Sequence, residues 1–424
     1  MSKNILMVGS YPPHQIGGGE SQQQLLSRMF KKNGYNVFVL SMGINKIFEV
    51  YDEDGIKIYR VGKFKENRRG NLNFLQAFKY ITFEIFDPLL FIFTIFLTIR
   101  YRVNSVHVTN FNQMSLSPII ASKILMRNTV VTMHSHSILC FYSTLMPFCY
   151  GVRKGRCGNC LLRYHKLPES AKKFEFILKP ILNWTIDLVL YTKFKIINSL
   201  TDKIIFPSEY SKKIHLKYGT YAEKAKVIHC MLNDFKVIKK QSKKKNGKKV
   251  ILYIGKIEEE KGVKVLMKSA KKLLNNNHRW KLLIIGEGRS FKKINKLMNE
   301  LKLNEHVAFL GLIPHYNMPN YYRLADIVVI PSVVPETFSI VLLEANLSRK
   351  ITICSRIGAL EERVIEGKTG FLVEPNNSDE LAKKMLFVLE NYEKLKHIEE
   401  RAYTDAVKKY NPENGLSEYK KILG

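Results

Sequence analysis

Short apolar runs of strand length recur along the chain, and longer amphipathic segments separate them. The runs are rich in Val, Ile and Leu and lack the alternation of a half-exposed strand, which is typical of strands buried on both faces of a parallel sheet. Strands that alternate with helical segments in this way indicate an α/β fold. The runs that predict strands are 4–9, 36–40, 103–109, 129–133, 203–208, 250–255, 281–285, 307–310, 327–330 and 351–355.

A glycine-rich turn separates the first predicted strand from the first predicted helix. The glycines at 17–19 precede a helix that we expect to begin near Glu20, and Gly34 ends that helix before the strand 36–40. Strand, glycine loop, helix and strand form a βαβ unit, in which ligands bind at the carboxyl ends of the strands. The turn is therefore a candidate ligand site, although a run of glycines alone is most often only a turn.

Two helical stretches of the first half are rich in aromatic residues and flanked by basic ones. The first, 71–102, has an unbroken apolar part of about a dozen residues, shorter than the ~20 residues needed to cross a bilayer. It predicts either an interfacial surface that meets anionic headgroups or a helix packed on the sheet, and the sequence leaves both open. The second, 170–199, is amphipathic and lysine-rich, and we expect Pro180 to break it.

One histidine directly follows a predicted strand. His134 comes after the run 129–133, at the carboxyl end where a parallel sheet binds ligands. A single loop histidine is usually incidental, but this position favours a contact to a bound substrate. Ser208 ends another run, 203–208, and we interpret it as the N-cap of the next helix rather than as a ligand.

Four of the six cysteines lie close together in the sequence. Cys140, Cys149, Cys157 and Cys160 have the spacing C-x8-C-x7-C-x2-C, and C-x2-C is one half of a common tetrahedral zinc site. We predict a Cys-rich insertion over about 137–170 that holds a structural zinc, in preference to an iron–sulfur cluster. The alternative is four reduced thiols. Disulfides are disfavoured because the first residues run straight into a strand, so no secretory signal is expected.

The length of 424 residues and the hydrophobic content of 46% are enough for two cores of ordinary domain size. The segment 235–249 is charged and poor in apolar residues, which predicts a linker between two domains. We therefore divide the chain into the domains 1–234 and 250–408, followed by a last segment, 409–424.

The chain carries 68 Lys and Arg against 37 Asp and Glu, which gives a formal net charge of +31. Such a charge indicates an anionic partner, a class that includes nucleic acids, anionic lipids and phosphorylated substrates. The lysines are spread along the chain and accompany no nucleic-acid-binding motif. We therefore expect no nucleic-acid partner and retain phosphorylated substrates and an anionic membrane surface.

Two lysines follow the first predicted strand of the second half. Lys256 comes directly after the run 250–255, and Lys261 precedes Gly262 at the opening of a helix. Cations at the end of a strand and beside a helix amino end suit a diphosphate leaving group, whose charge grows as its bond to a sugar breaks. The alternative is a pair of solvated lysines, as expected in so basic a chain.

The segment 331–345, PSVVPETFSIVLLEA, carries the strongest signal for a site. A strand stops at Pro331 and a helix opens near Phe338, whose free backbone amides would form an anion site. Glu336 lies just before that opening, and Glu344 lies inside an apolar helix, where a carboxylate needs hydrogen bonds. In one interpretation the amides bind a diphosphate, Glu344 accepts from ribose hydroxyls and Glu336 contacts an attached sugar. In the other, Glu336 interacts with the helix dipole and Glu344 is a surface acid.

These motifs resemble those of a known family. The Glu-x7-Glu spacing of Glu336 and Glu344, the aromatic Phe338 after the first Glu, Lys261-Gly262 and the run 370–373 are similar to the signature of glycosyltransferase family 4. The resemblance implies a GT-B fold, in which two Rossmann-like domains face an interdomain cleft and the last segment returns to the first domain.

The resemblance also implies roles for individual residues. The catalytic candidates are His134, Lys256, Lys261 and Glu336. The donor-binding candidates are Gly18, Gly19, Leu312, Ile313, Thr337, Phe338, Ser339, Ile340 and Glu344, with Leu312 and Ile313 at the nucleobase. This chain departs from the family pattern in having Lys256 for Arg, and Thr337 and Ser339 for Gly. The departure at Ser339 puts a side chain where backbone is expected to approach phosphate.

The implied reaction moves a sugar from a UDP- or GDP-sugar to a glycan or lipid-linked acceptor with retention at the anomeric carbon. The family needs no metal for catalysis, so the predicted zinc is structural only. We expect a cytoplasmic protein, or one that is peripheral on the inner face of the cell membrane. The rival hypothesis is a non-catalytic basic protein of the same fold that associates with membrane or nucleic acid.

Overall fold

The chain forms two compact units, Met1–Met231 together with Glu413–Gly424, and Leu232–Pro412. The computed structural model describes residues 3–11, 18–43, 48–63, 85–109, 115–140, 175–232, 248–274 and 279–424, without the side chains of 175–179 and 182. Most of the predicted linker, 235–249, lies outside the described residues.

The first unit is an α/β structure. Its strands are β1 (Asn4–Val8), β2 (Asn36–Gly43), β3 (Phe48–Glu53), β4 (Ile56–Lys63), β5 (Ser105–Val108), β6 (Asn128–Thr132), β7 (Lys203–Phe206) and β8 (Ala225–Val227). Its helices are α1 (Gly18–Lys32), α2 (Pro88–Arg100), α3 (Ser117–Ile124), α4 (Glu175–Leu200) and α5 (Glu209–Lys217).

One sheet in the order β3-β4-β2-β1-β5-β6-β7-β8 runs through this unit. All neighbouring strands are parallel except the antiparallel pair β3–β4. β1 lies in the middle, and its Ile5, Leu6 and Met7 are fully buried, which explains why the run is apolar without alternation. The predicted parallel α/β architecture is confirmed.

The helix α4 corrects one prediction. It runs unbroken from Glu175 to Leu200 with Pro180 inside it, so the expected break is wrong. Pro180 lies in the second turn, where it removes a single backbone hydrogen bond. Further along, Ile186, Leu190 and Ile197 are buried, and the burial of this face stabilises the helix more than the lost bond costs.

Ser208 is the N-cap of α5, as predicted. Its backbone is extended, and its hydroxyl accepts a hydrogen bond of 3.0 Å from the amide of Ser211. This contact satisfies one of the free amides at the helix start. Ser208 is fully buried, so its hydroxyl serves the helix.

The last helix of the chain, α12 (Pro412–Leu423), packs on the first unit. Its Leu416, Tyr419 and Leu423 are buried in the same core as Ile5 and Val130. Two side chains of the sheet also bond its end, since Ser105 Oγ donates to the Leu423 carbonyl at 2.8 Å and Asn128 Nδ2 donates to that of Ile422 at 2.6 Å.

The second unit is also α/β. Its strands are β9 (Lys249–Ile254), β10 (Trp280–Ile285), β11 (Val307–Phe309), β12 (Ile327–Ile330), β13 (Ile351–Ser355) and β14 (Phe371–Val373). Its helices are α6 (Val263–Leu273), α7 (Phe291–Glu300), α8 (Met318–Leu324), α9 (Ile340–Leu347), α10 (Ala359–Arg363) and α11 (Ser378–Lys409). Every neighbouring pair in its sheet, ordered β11-β10-β9-β12-β13-β14, is parallel.

The order of this second sheet reverses at β9. The chain goes from β9 to β10 on one side and returns to β12 on the other. In open parallel sheets, ligands bind outside the carboxyl ends of the strands at such a reversal. The loops that follow β9 and β12 are therefore the place where the fold itself favours a site.

The loops after β9 and β12 touch each other closely at Gly262. This residue has φ +72°, and a Cβ placed on it would lie 1.7 Å from the carbonyl oxygen of Pro331. Only glycine therefore lets the start of α6 approach the end of β12 this closely. The amide of Val333 also donates to the Glu260 carbonyl at 2.9 Å, which fixes the same two loops together.

Among the described residues, no helix is long and apolar enough to cross a membrane.

We expect Gly262→Ala to lower the free energy of unfolding by about 3 kcal/mol or more, because it adds overpacking against backbone to the strain of a positive φ. The matched control is Gly367→Ala, since Gly367 has φ +69° and nothing within 4 Å of an added Cβ. That control should cost about 1 kcal/mol through the backbone conformation alone. Thermal and urea unfolding of the purified variants measure the difference, and equal losses would contradict the close approach at Pro331.

Candidate functional site

An ion pair joins the two loops at the sheet reversal. Lys261 Nζ donates to Glu336 Oε1 at 2.7 Å, and Ser332 Oγ donates to the same oxygen at 2.6 Å. Lys261 comes from the end of the β9 loop and Glu336 from the β12 loop, 75 residues later. Two of the residues predicted as catalytic are thus brought into direct contact.

The charge of Lys261 is maintained by its surroundings. Burial alone would lower the pKa of this ammonium group, but Glu336, Glu260 and Glu258 outweigh that effect and raise the pKa above its ordinary value of 10.5. The side chain is still about one-third exposed. An ammonium has three N–H donors, so Lys261 can bond Glu336 and retain donors for an anionic ligand.

The backbone of Glu336 is fixed from the other side by the turn before α10. Glu336 and Gly358 form an isolated parallel bridge, and the amide of Ala359 donates to the Glu336 carbonyl at 2.9 Å. Gly358 has φ +61°, and an added Cβ would lie 2.7 Å from the backbone nitrogen and oxygen of Glu336. The turn before α10 therefore fixes the backbone of Glu336, and Lys261 and Ser332 fix its carboxylate.

Glu344 is buried, so the alternative of a surface acid is wrong. Its side chain is only 4% exposed. The Tyr322 hydroxyl donates to Oε2 at 2.7 Å, and His315 Nε2 lies 2.7 Å from Oε1. The hydrogen bond to Glu344 raises the pKa of His315 above 6.5, and burial followed by Glu344 raises that of Tyr322. Carboxylate oxygens accept more than one hydrogen bond each, so Glu344 can also accept from a ligand.

The helix α9 begins at Ile340, two residues later than expected, and Ser339 is its N-cap. Ser339 has φ +69°, a conformation that favours glycine. Its carbonyl accepts a hydrogen bond of 2.9 Å from Arg363 Nη1, which also donates to the carbonyl of Phe338. The family pattern of glycine at this position therefore matches the backbone, and the serine of this chain is held in that conformation by Arg363.

Arg363 is a buried cation between two aromatic rings. Its guanidinium carbon lies 3.8 Å from the ring centroid of Phe338 and 4.6 Å from that of Tyr410, and its Nε donates to the Tyr410 hydroxyl at 3.0 Å. The ring of Phe338 is itself buried. The ring of Phe338 therefore packs within the unit, and a contact of this residue with a donor stays a prediction.

The other candidates of the second unit lie around the same edge. Lys256 is exposed, and its side chain forms no ion pair with any described residue. Leu312 is 61% exposed, whereas Ile313 packs partly against the core. Thr337 and Ile340 are half-buried on either side of the turn at 338–339. The contacts of these residues with a donor stay a prediction.

In the first unit, Gly19 and His134 meet. Gly18 and Gly19 open α1, and a Cβ on Gly19 would lie 3.4 Å from the Cβ and Cγ of His134. Burial lowers the pKa of His134 to about 4, so its ring is neutral at pH 7. His134 Nδ1 lies 4.0 Å from the sulfur of Cys230. The strand end and the glycine turn are thus adjacent, while the role of His134 stays a prediction.

Three of the four cysteines of the predicted zinc site lie outside the described residues. Cys140 is buried, but Cys149, Cys157 and Cys160 lie outside the described residues, as does most of the insertion over 137–170. Among the residues that the structure does describe, no group of three His, Cys, Asp or Glu side chains could hold a metal ion. The structural zinc therefore stays a prediction.

Sequence reasoning missed four residues of the site, which are His315, Tyr322, Ser332 and Arg363. His315 and Tyr322 bond Glu344, which lies 29 and 22 residues away, and Ser332 bonds Glu336, four residues away. Arg363 bonds carbonyls 25 and 24 residues away. Except for Ser332, these separations are too long for a helical or strand periodicity to indicate the contact. His315 carried a usable signal, because it follows Leu312 and Ile313, the predicted nucleobase segment. The buried carboxylate of Glu344 also required partners, and a polar aromatic such as Tyr322 is a natural one.

Residues 234–405 match the family model described as glycosyl transferases group 1. Over 425 residues the chain is 25% identical to an uncharacterized glycosyltransferase of Methanocaldococcus jannaschii, which covers 97% of this chain and 95% of that protein. Over 174 residues it is 31% identical to the lipopolysaccharide 1,2-N-acetylglucosaminetransferase of Salmonella typhimurium, which covers 39% of this chain and 45% of that one.

Solved structures share the fold. Anabaena HepE in complex with UDP has a TM-score of 0.69 at 17% identity, and the match covers 100% of this chain and 99% of that one. The sucrose-phosphate synthase of Thermosynechococcus elongatus has a TM-score of 0.70 at 17% identity, over 99% and 98% of the two chains. Residues 234–405 are therefore similar to the glycosyl transferases group 1 family, and the chain is a glycosyltransferase with the GT-B fold that resembles those of family 4.

Proposed function

We propose that this glycosyltransferase moves a sugar from a nucleotide-diphosphate sugar, UDP- or GDP-linked, to a glycan or lipid-linked acceptor at the cytoplasmic face of a membrane, with retention at the anomeric carbon. The observation that carries the proposal is the contact of Lys261 with Glu336 at the sheet reversal. It places a cation with spare donors beside a carboxylate, next to the amino end of α6. Relatives whose names specify sugar transfer, and a UDP complex of the same fold, support this assignment.

The proposed roles follow from the charges that the reaction needs. The diphosphate gains negative charge as the sugar bond breaks, and Lys261, Lys256 and the backbone amides at the amino end of α9 would stabilise it. Glu344 would accept from the ribose hydroxyls and Glu336 from a sugar hydroxyl. His134 is retained as a proposed sugar contact. A neutral imidazole suits that role, since it can donate to or accept from a hydroxyl without adding a charge.

The mechanism that we propose needs no general base from the protein. If the acceptor attacks from the face that the diphosphate leaves, the departing phosphate oxygen can take the acceptor proton, and the anomeric configuration is retained. We further propose that protein cations rather than a metal neutralise the diphosphate. The product anomer, read by NMR, and activity in the presence of a chelator test these two points.

We expect at least one donor from a panel of UDP-, GDP- and ADP-sugars to raise the melting temperature, because a ligand that binds the folded state stabilises it by mass action. Lys261→Met should weaken binding of the corresponding nucleoside diphosphate by about tenfold to a hundredfold, the value of a charge-assisted hydrogen bond. Binding of the nucleoside without phosphates should change little. Calorimetric titration with UDP and uridine, or their guanine counterparts, measures both.

Lys268→Met is the matched control for this experiment, since Lys268 is exposed on α6, seven residues after Lys261. It should leave both affinities unchanged. The proposal fails if no donor shifts the melting temperature at millimolar concentration, or if Lys261→Met weakens nucleoside and nucleoside diphosphate equally.

We expect Glu344→Gln to lower the pKa of His315 toward 6.5, because the carboxylate that raises it has lost its charge. With a folded pKa above the unfolded one, the His315–Glu344 pair stabilises the protein fully below pH 6.5, and this contribution disappears as pH rises through the raised pKa. The stability difference between wild type and variant should therefore shrink at alkaline pH. NMR titration of the imidazole and unfolding at two pH values check this.

The same variant tests the ribose role. Glu344→Gln should weaken binding of a nucleoside diphosphate but have little effect on its 2′,3′-dideoxy analogue, which lacks the hydroxyls that the carboxylate would accept from. A loss that is equal for the two ligands would assign Glu344 a purely structural role.

We expect Ser339→Gly to stabilise the protein by about 1 kcal/mol, because glycine adopts the positive φ without strain and the cap bond it loses is long, at 3.4 Å. Arg363→Met should lower the free energy of unfolding less in the Ser339→Gly background than in wild type. In that background the backbone at position 339 is unstrained, so the hydrogen bonds from Arg363 no longer hold a strained conformation in place. A double-mutant cycle by thermal unfolding measures this coupling. Arg356→Met, which removes an exposed arginine paired with Glu374, should show none.

A further inference from the structure

Two helices of the first unit present long apolar stripes to solvent. On α2 the exposed side chains include Leu89, Ile92, Phe96 and Ile99, and on α4 they include Ile181, Trp184, Leu188 and Tyr191. Both sets have the spacing i, i+3, i+7, i+10, which is one face of a helix. The opposite faces are buried in the unit, through Leu90 and Leu97 on α2 and through Leu190 and Ile197 on α4.

The two stripes belong to one side of the sheet. α2 packs beside α3, and α3 packs beside α4. The end of α3 adds Ile124, which is 61% exposed, and Met126, which is 89% exposed. Large exposed apolar groups that are grouped rather than scattered mark an interaction site. Together, the stripes on α2 and α4 and the end of α3 form one surface, the apolar face.

The charge around the apolar face is positive. Its exposed charged side chains are Arg100 and Arg102 after the α2 stripe, Arg127 after α3, and Lys195 one turn beyond Tyr191. The acids of the described parts of these helices, Asp87 and Asp187, are half-buried.

The topology brings these cations to one edge. α2, α3 and α4 directly precede the parallel strands β5, β6 and β7, so their carboxyl ends lie at the amino edge of the sheet. A surface that combines apolar rows with cations at one border is suited to bind an anionic membrane interface. Lys195 also lies 5.6 Å from the ring of Tyr191, so the border between apolar and basic groups is continuous.

We propose that the apolar face docks the enzyme on an anionic lipid bilayer. Trp184 and Phe96 would insert at the headgroup level, and the four cations would meet lipid phosphates. This proposal rests on the proposed function, because access to a lipid-linked acceptor is the reason for the enzyme to dock. The surface itself is independent of the donor site. The amino ends of α2 and α4 lie at the carboxyl edge of the sheet, where Gly19 and His134 meet, so the face extends toward that edge.

The test uses the full chain and sedimentation with vesicles. Wild type should bind vesicles of phosphatidylcholine with phosphatidylglycerol and should bind phosphatidylcholine alone at least about tenfold more weakly. Ile92→Ser with Trp184→Ser should reduce the partition coefficient by about tenfold or more, because two apolar anchors are lost. Leu324→Ser with Val407→Ser, a similarly exposed apolar pair of the second unit, should leave binding unchanged.

The cations are tested separately. Arg100→Gln with Lys195→Gln should lower binding to the anionic vesicles by about tenfold or more at low salt, and the difference should disappear at high salt. Cations near helix carboxyl ends also stabilise the helix dipole, so the melting temperature of this variant is measured alongside. A loss of binding with an unchanged melting temperature supports lipid contact.

Three results would overturn the docking proposal. Wild type could fail to bind anionic vesicles at low salt, the Ile92→Ser with Trp184→Ser variant could bind like wild type, or that variant could convert a dimer into a monomer while vesicle binding stays unchanged. The last outcome would assign the face to a second copy of the chain. Thermal shift with nucleotide donors is run on each variant, because an intact shift without vesicle binding overturns only the docking, whereas a missing shift in wild type overturns the proposed function.

Discussion

The close approach of the β9 and β12 loops is the constraint on which the site depends. Parallel neighbours in a sheet bring their carboxyl ends to one edge, but only a residue without Cβ lets the start of α6 touch the Pro331 carbonyl. Because Gly262 allows that contact, Lys261 one residue earlier reaches Glu336 across the two loops. Lys261 thus supplies the charge and Gly262 allows the close backbone approach, and the ion pair with Glu336 needs both.

Electrostatics at this edge are balanced rather than simply positive. Lys261 lies among Glu336, Glu260 and Glu258, so its charge is neutralised locally even though the whole chain carries +31. Burial raises the pKa of Glu260, and so do a hydrogen bond with Glu258 and repulsion from its carboxylate. In the proposed function, a diphosphate would use the N–H donors of Lys261 that Glu336 leaves, and a sugar that hydrogen-bonds Glu336 would reduce the repulsion between this carboxylate and the phosphates. Donor phosphate and donor sugar would then favour each other's binding.

The sequence predicted the parallel α/β architecture of both units and ten of their strands, because these depend on local patterns, but it missed β3, β4 and β8. Buried parallel strands are recognisable as apolar runs, Lys261 and Glu336 lie shortly before helix starts, and Glu344 is a single acid inside an apolar helix. What it missed depends on tertiary contacts. Arg363 and Tyr322 act on residues more than 20 positions away. Pro180 failed as a breaker because burial of the rest of α4 outweighs one hydrogen bond.

The predicted aromatic stretch 71–102 contains α2, which packs on the sheet, while the alternative of an interfacial surface stays a prediction. A helix that crosses over a sheet needs only one apolar stripe for the core, and α2 buries Leu90 and Leu97 for that purpose. A second stripe on the opposite face exposes apolar surface to water among the described residues. α4 carries a second stripe with the same spacing, and both run toward the sheet edge where His134 lies. The proposed docking on an anionic bilayer would account for the residue types and for their direction along the helices.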